Sequence, residues 1–388
     1  MKNVRYLAGM LMFSTLIGHL SAGEPAILQS KVKGLLVIEL ADGSHAGTAS
    51  QMNATALPSG NENGFELRFN QSVGEMMASA TKEVEKLMRV RHSENLPLGH
   101  TIEFGFEDKH SPKDGPSAAV ACALMAESII TGVALDQKFG VTGDITATGE
   151  VRPVGGVDAK VRGASRRDCE IFAVPEGNKT AIDDLYISEG IEAISGIQII
   201  LINDIDEALA IGREEKSPEV KQALDDFAMV SKSIASNPRN SAHPKVLEKL
   251  KSVLAVLPGH ESARLVALDG LGKGPQRLSL SGSLAAIERG ASQLASSMDD
   301  GSFMETGMDD PLWDSLSLME KLRNKVDKRT RPYLESYLST AAFLKQHRGR
   351  TVFTLQLQRE FQEVIAKITS ERTKLLNDKD LQEELMDE

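Results

Sequence analysis

The sequence predicts a mixed α/β domain followed by an all-α helical domain. Three observations carry that expectation. Between residues 24 and 215, short strand-like runs alternate with stretches of helical spacing. At "REEKSPEV" (213–220) the strand signals stop, and the remainder reads as helix. The length, 388 residues, suits about two domains. The expected divisions are a targeting segment at 1–23, the α/β domain at 24–215 and the helical domain at 216–388.

Lys2 and Arg5 precede the apolar run "YLAGMLMFSTLIGHL", and "SAGEPA" then supplies small residues. This is the pattern of a secretory signal peptide, cleaved after Ala22 or Gly23. The competing reading is an uncleaved N-terminal membrane anchor, since the run lies near the short limit for spanning a bilayer. Cleavage would leave an exported chain, periplasmic or secreted. The next elements are strands at "GLLVIELA" (34–41) and "GFELRF" (64–69), joined by the polar segment "SQMNATALPSGNEN" read as a loop. A helix at 72–88 places Met76, Ala80, Val84 and Leu87 on one face. A strand follows at 101–107, then an apolar helix at 116–131 whose charged member is Glu127. "FGVTGDITATGEVRPVGG" reads as a hairpin, and a helix after it carries Lys160. Strands at 170–175 and 197–204 and the helix "IDEALAIG" complete this half.

In the second half, Leu247, Leu250, Leu254 and Leu257 repeat at helical spacing, as do Leu265, Leu268 and Leu271 after a Pro-Gly turn. This pair loosely resembles a tetratricopeptide helix hairpin, although one unit does not make an array. Residues 298–310 read as an acidic exposed loop. A last helix carries an apolar stripe of Leu357, Phe361, Val364, Ile365 and Ile368.

Composition narrows the function. A net charge of −11 lacks the basic footprint of a nucleic-acid partner, and 4% aromatic residues offer few stacking platforms. Cys122 and Cys169 cannot build a disulfide framework and read as core thiols, the alternative being a single buried disulfide between them. No G-x-x-x-x-G-K-[ST] occurs, so no ATP site of that type is expected; "DGLGKGPQ" lacks the hydroxyl after its lysine. The eight histidines are scattered, and neither a metal nor a cofactor is expected.

What remains is Ser117, in "KDGPSAAVACALMAESII". Pro116 suits a first helical position, which puts Ser117 among free backbone N–H groups. Ser117 could be a helix-start residue, or a nucleophile placed where an oxyanion is held. A serine nucleophile needs a base. His110 is near in sequence but has no evident orienting acid. Lys160 lies past Gly155-Gly156 with Val157, Ala159 and Val161 beside it, and burial can make a lysine a base near pH 7.

The segments "PKDGPSA", "TGDITATGEVRPVGGVDAK" and "VPEGNK" resemble the proteolytic domain of Lon proteases, over roughly residues 30–212. The resemblance implies Ser117 as nucleophile, Lys160 as base and Thr142 as a hydroxyl that helps hold the lysine. Asp144 stands where that family's segment has glutamate, and Ala119 where it has glycine. The family's ATPase domain finds no counterpart between the targeting segment and Ser117. The implied function is an exported, ATP-independent serine endopeptidase acting on unfolded or flexible polypeptides. Backbone N–H groups of Ser117 and of Asp114 or Gly115 would bind the oxyanion. A homo-oligomer is a further expectation, because such domains commonly form rings. The alternatives are a catalytically silent Lon-like scaffold that binds partners, and a Ser-Lys amidohydrolase acting on small amides.

Overall fold

The computed structural model describes residues 24–39, 45–107, 114–299, 310–347, 354–379 and 381–382. The expected signal peptide, His110 and most of the acidic segment at 298–310 lie outside the described residues.

The mixed sheet contains β1 (Gln29–Glu39), β2 (His45–Pro58), β3 (Phe65–Phe69), β4 (His100–Phe106), β5 (Phe139–Val141), β8 (Ile171–Pro175) and β9 (Gln198–Ile202). Their order is β3-β4-β2-β1-β5-β8-β9. The β1–β2 and β2–β4 pairs are antiparallel; β3–β4, β1–β5, β5–β8 and β8–β9 are parallel. A small hairpin, β6 (Asp144–Ile145) and β7 (Val151–Arg152), stands apart. The segment expected to be a polar loop is mostly strand β2. Met52, Ala54 and Ala56 point inward while Gln51, Asn53 and Thr55 beside them are more exposed. Alanine, asparagine and glutamine are weak strand formers, so this alternation carries little signal in sequence.

Helix α1 (Glu75–Arg91) buries Met77, Ala80, Val84, Leu87 and Met88. The inward methionine is Met77 and not the expected Met76, which is exposed. Helix α2 (Ala119–Thr131) is buried on every side as far as Ile130, as an apolar helix in a core should be. It ends at Gly132, whose φ of 78° closes the last turn through its N–H to the Ser128 carbonyl, 2.9 Å. Glu127 is accommodated inside by His92 Nε2 at 2.7 Å and by Arg91, which itself pairs with Asp206. Burial pushes the Glu127 carboxyl upward, but His92 and Arg91 together hold it below its ordinary value.

Helices α3 (Val157–Ser165), α4 (Lys179–Glu189), α5 (Ile191–Ser195) and α6 (Ile205–Gly212) complete the first half. Next come α7 (Pro218–Ser236), α8 (Pro244–Val256) and α9 (Glu261–Gly270). The expected division at 215/216 does not coincide with a break in the core. Phe227, Ile234, Val253, Leu265 and Val266 belong to the same apolar cluster as the sheet. Lys216 fastens the intervening segment, donating to Asp136 at 2.7 Å and to the Arg213 carbonyl at 2.8 Å. The pair α8–α9, where the tetratricopeptide-like pattern falls, packs on α7 and on β9. A second core is formed by α10 (Leu280–Asp299), α11 (Asp310–Leu322), α12 (Arg331–Gln346) and α13 (Leu355–Asn377), together with Ile187 of α4. No helix among the described residues is long and apolar enough to cross a membrane.

Both outer strands of the sheet are covered. At β3, Glu85 accepts from the Leu67 N–H at 3.3 Å and Arg89 donates to the Phe65 carbonyl. At β9, the Leu201 N–H donates to the Gly259 carbonyl at 2.8 Å, and Ser262 Oγ bridges the Ile199 N–H and the Ile197 carbonyl. His260 lies between these contacts, fully buried against Phe227.

Candidate active site

Ser117 stands in a turn that is held from three sides. Helix α1 opens on Gly74, which has no side chain to cap it. The cap comes from Asp114, whose Oδ1 accepts from the Met77 N–H at 3.1 Å. A Cβ on Gly74 would sit 2.0 Å from the Asp114 carboxyl carbon, so the close approach demands glycine. Gly115 follows at φ 99°, ψ 149°, a backbone region open to glycine. Pro116 then starts a short 3-10 turn, Pro116–Ala118, which leads into α2 with Ser117 half-buried. The Ser117 carbonyl accepts from the Gly143 N–H at 3.0 Å and from Thr142 Oγ1 at 3.3 Å. The Val120 N–H donates back to the Gly143 carbonyl at 3.2 Å. Asp114, Gly115, Ser117 and Thr142 therefore form one laced corner.

Two details differ from the sequence expectation. The Gly115 N–H is engaged by the Asp114 carboxylate at 2.7 Å, so it does not face an open oxyanion position. Thr142, fully buried, turns its hydroxyl proton toward the Ser117 carbonyl and so fixes the serine's backbone. Asp114 acts here as the anchor of the turn.

Lys160 arrives on α3. Gly156 begins this helix at φ 67°, and Val157, Ala159, Val161 and Ala164 bury its inner face. The helix lies so close to β2 that a Cβ on Gly47 would fall 1.7 Å from the Ala159 carbonyl oxygen. Its far end is tied down by Lys33 Nζ, which donates to the Arg167 and Asp168 carbonyls at 2.8 and 3.0 Å. The Lys160 residue is 3% exposed, and burial alone lowers its pKa to about 8. No charged neighbour among the described residues contributes to that value. The turn of Ser117 and helix α3 both pack against β1, which brings the two sides of the site to one strand. Among the described residues no hydrogen bond yet joins Lys160 Nζ to Ser117 or Thr142; catalytic contacts commonly tighten only when substrate binds. No cluster of potential metal ligands occurs among the described residues.

A half-buried serine at a helix start and a buried lysine that makes no ion pair among the described residues have the chemistry that a Ser-Lys pair requires. The segment 44–212 matches the family described as the Lon protease (S16) C-terminal proteolytic domain. Residues 44–212 form a Lon-type proteolytic domain. Over 164 residues the chain is 33% identical to Lon protease 1 of Syntrophotalea carbinolica, covering 39% of this chain and 19% of that protein. Lon protease 1 of Bacillus subtilis is 33% identical over 154 residues, 37% of this chain and 19% of its own length. Lon protease 1 of Sorangium cellulosum is 39% identical over 99 residues, covering 26% and 12%. The chain thus spans between about an eighth and a fifth of the length of the curated relatives it matches.

Within the Lon-type domain, sequence reading singled out Ser117 and Lys160 but not the packing of Asp114 on Gly74 or the hydrogen bond it accepts from the Met77 N–H. A signal existed: a helix opening on Gly74-Glu75 without a Ser, Thr, Asp or Asn cap asks for a cap from elsewhere.

Proposed function

We propose that this protein is an exported serine endopeptidase that cleaves unfolded or flexible polypeptides without ATP, with Ser117 as nucleophile and Lys160 as general base. The observation that carries the reading is Lys160. It is buried, has no ion-pair partner among the described residues, and is lowered by burial to a pKa of about 8, in a domain that presents Ser117 at a helix start. At pH 7 about a tenth of such a lysine is neutral, against about three in ten thousand for an ordinary one.

Lys160 Nζ takes the proton of Ser117 Oγ as Oγ bonds to the substrate carbonyl carbon. The oxyanion forms near the Ser117 N–H, at the positive end of the α2 segment. The C–N bond then breaks, and the Lys160 ammonium gives its proton to the leaving amine. A water molecule attacks the resulting ester and yields a proton to Lys160. The C–O bond to Ser117 breaks, and Oγ recovers that proton. Thr142 supports the cycle by holding the Ser117 backbone, and its lone pairs can accept from the transient ammonium.

Export is supported by the basic start and apolar run of residues 1–23, and ATP-independence by the lack of a phosphate-binding loop motif in these 388 residues. Self-assembly is part of the proposal and is read by light scattering. The deciding experiment incubates the protein with unfolded casein, with and without ATP and with and without EDTA, beside Ser117→Ala. Cleavage should occur in every arm except Ser117→Ala. Failure to cleave, with no labelling by a serine-reactive probe, would leave a Lon-like binding scaffold. Hydrolysis of small amides without peptides would make it an amidohydrolase. N-terminal sequencing of the exported protein should begin just after Ala22 or Gly23.

A further inference from the structure

Helix α3 carries the proposed base, yet its beginning has little of its own to hold it. Gly156, at the cap position, has no side chain, so the first-turn N–H groups depend on what comes later. Asp158, in that first turn, ties it to its surroundings: its carboxylate accepts from Arg162 Nη2 of the next turn of the same helix at 2.6 Å. The same oxygen, Oδ2, receives Arg289 Nη1 at 3.0 Å. Arg289 belongs to α10, whose apolar side lies in the other core. Arg162 in turn donates to Glu189, at the end of α4, at 2.5 Å.

The far end of this connection is firm. Asp184 of α4 accepts from the Ser279 N–H at 2.8 Å and from Ser279 Oγ at 2.6 Å, just where α10 starts. Lys325 Nζ donates to the Ile187 carbonyl at 2.6 Å. Helix α10 is thus seated on α4, α4 packs on α3, and Arg289 closes the circuit back to α3. Burial pushes the Asp158 carboxyl upward, but its guanidinium partners and the Ala159 N–H hold it below its ordinary value, so it stays an anion for them.

Resting on the assignment of Lys160 as the base, we propose that Arg289 is a positioning residue: through Asp158 it holds the first turn of α3 and couples the C-terminal helical bundle to the lysine. Arg289 does not touch the reacting atoms. Its influence on Lys160 runs through water exclusion, since burial is the one cause of that lysine's lowered value. A loosened first turn, two residues before Lys160, admits water and returns the ammonium toward its ordinary stability. The Arg289 and Asp158 side chains are 41% and 36% exposed, so the coupling is that of a partly screened pair.

The test compares the full chain with Arg289→Ala, Arg289→Lys and Arg289→Glu. Steady-state cleavage of an unstructured fluorogenic peptide is followed from about pH 6 to about pH 9.5. In parallel, the Lys160 side chain is titrated by NMR in lysine-labelled protein, assigned with Lys160→Arg. For Arg289→Ala, kcat at pH 7 should fall about three-fold with KM little changed, the range of a partly exposed ion pair. The acid limb of the rate profile and the NMR titration of Lys160 should both move upward from about 8. Arg289→Lys should restore both readouts, because a single N–H···O contact is made, and Arg289→Glu should exceed Arg289→Ala. A general loss of stability would lower the active fraction without moving the limb. Unmoved Lys160 titration in both Arg289→Ala and Arg289→Glu would overturn the coupling, and so would Arg289→Lys behaving as Arg289→Ala. If the full chain cleaves no peptide, the peptidase reading falls; if Lys160→Ala still cleaves, Lys160 is not the base. The NMR titration then decides the coupling by itself.

Discussion

Mild acid should loosen the joint between the sheet and α9, and the amount can be worked out from His260. This ring is fully buried. Nδ1 accepts from the Ala263 N–H at 3.2 Å, capping α9, so the proton sits on Nε2 and is donated to Gln198 Oε1 at 3.1 Å. A second proton would have to go on Nδ1, breaking the cap and leaving a buried cation beside Phe227. Burial accordingly lowers the pKa from 6.5 to about 3. Below pH 6.5 the unfolded chain takes up a proton that the folded chain refuses, so stability falls as pH falls and levels off near pH 3. Each unit is worth about 1.4 kcal/mol, so going from neutral to about pH 5 removes about 2 kcal/mol. The assay is urea unfolding followed by circular dichroism at about pH 7.5 and about pH 5, for the protein and for His260→Asn. Asparagine can accept from the Ala263 N–H but does not titrate, and every other histidine is common to both chains. The parent should lose about 2 kcal/mol more than His260→Asn between the two pH values. Equal losses would refute the reasoning.

Ser117→Ala and Lys160→Ala should each abolish peptide cleavage in folded protein, and the double variant should be no worse than either, because both groups serve one step; a peptidase assay with circular dichroism as control reads this. In the parent, kcat/KM should rise with pH through about 8, because the base works only after Lys160 loses its proton; a profile flat from about pH 6 upward would remove Lys160 from that role. Gly74→Ala should destabilise the protein by about 1–3 kcal/mol in thermal unfolding and lower activity, since the new methyl displaces the Asp114 carboxylate that anchors the serine's turn. A chain ending at Arg213 should be insoluble on expression: it loses Phe227, Leu265 and Val266 from the sheet's core and bares the β9 edge.

The α/β order and the all-helical remainder were legible because they depend on local pattern. The Asp-Gly-Pro-Ser turn and the Gly-Gly before α3 announce themselves through backbone chemistry. What escaped depends on partners distant in sequence. Strand β2 alternates, but with Ala, Asn and Gln rather than branched residues, and its inward side is defined by α2 and α3. Helices α4 and α5, not foreseen, are short and broken at Gly190, whose φ is 87°. The apolar stripe of α7 could be read, but not that it faces the sheet's core. The polar segment at 213–220 suggested a linker, and nothing local shows that Lys216 pins it to Asp136. His260 was one histidine among eight; only its neighbours make it a buried neutral cap.

The covering of β3 and β9 has a consequence for how copies of this chain could meet. An exposed outer strand invites a second molecule to continue the sheet, the shortest path to dimers and to fibres alike. Here a newcomer at β9 would first have to evict Gly259 and Ser262, and at β3 it would compete with Glu85 and Arg89 for the same backbone groups. Association through either outer strand therefore requires partial unfolding. Folded molecules that assemble must do so through side chains on helices and loops, so the stoichiometry of this protein should respond to surface substitutions that leave the sheet and the Ser117 turn untouched.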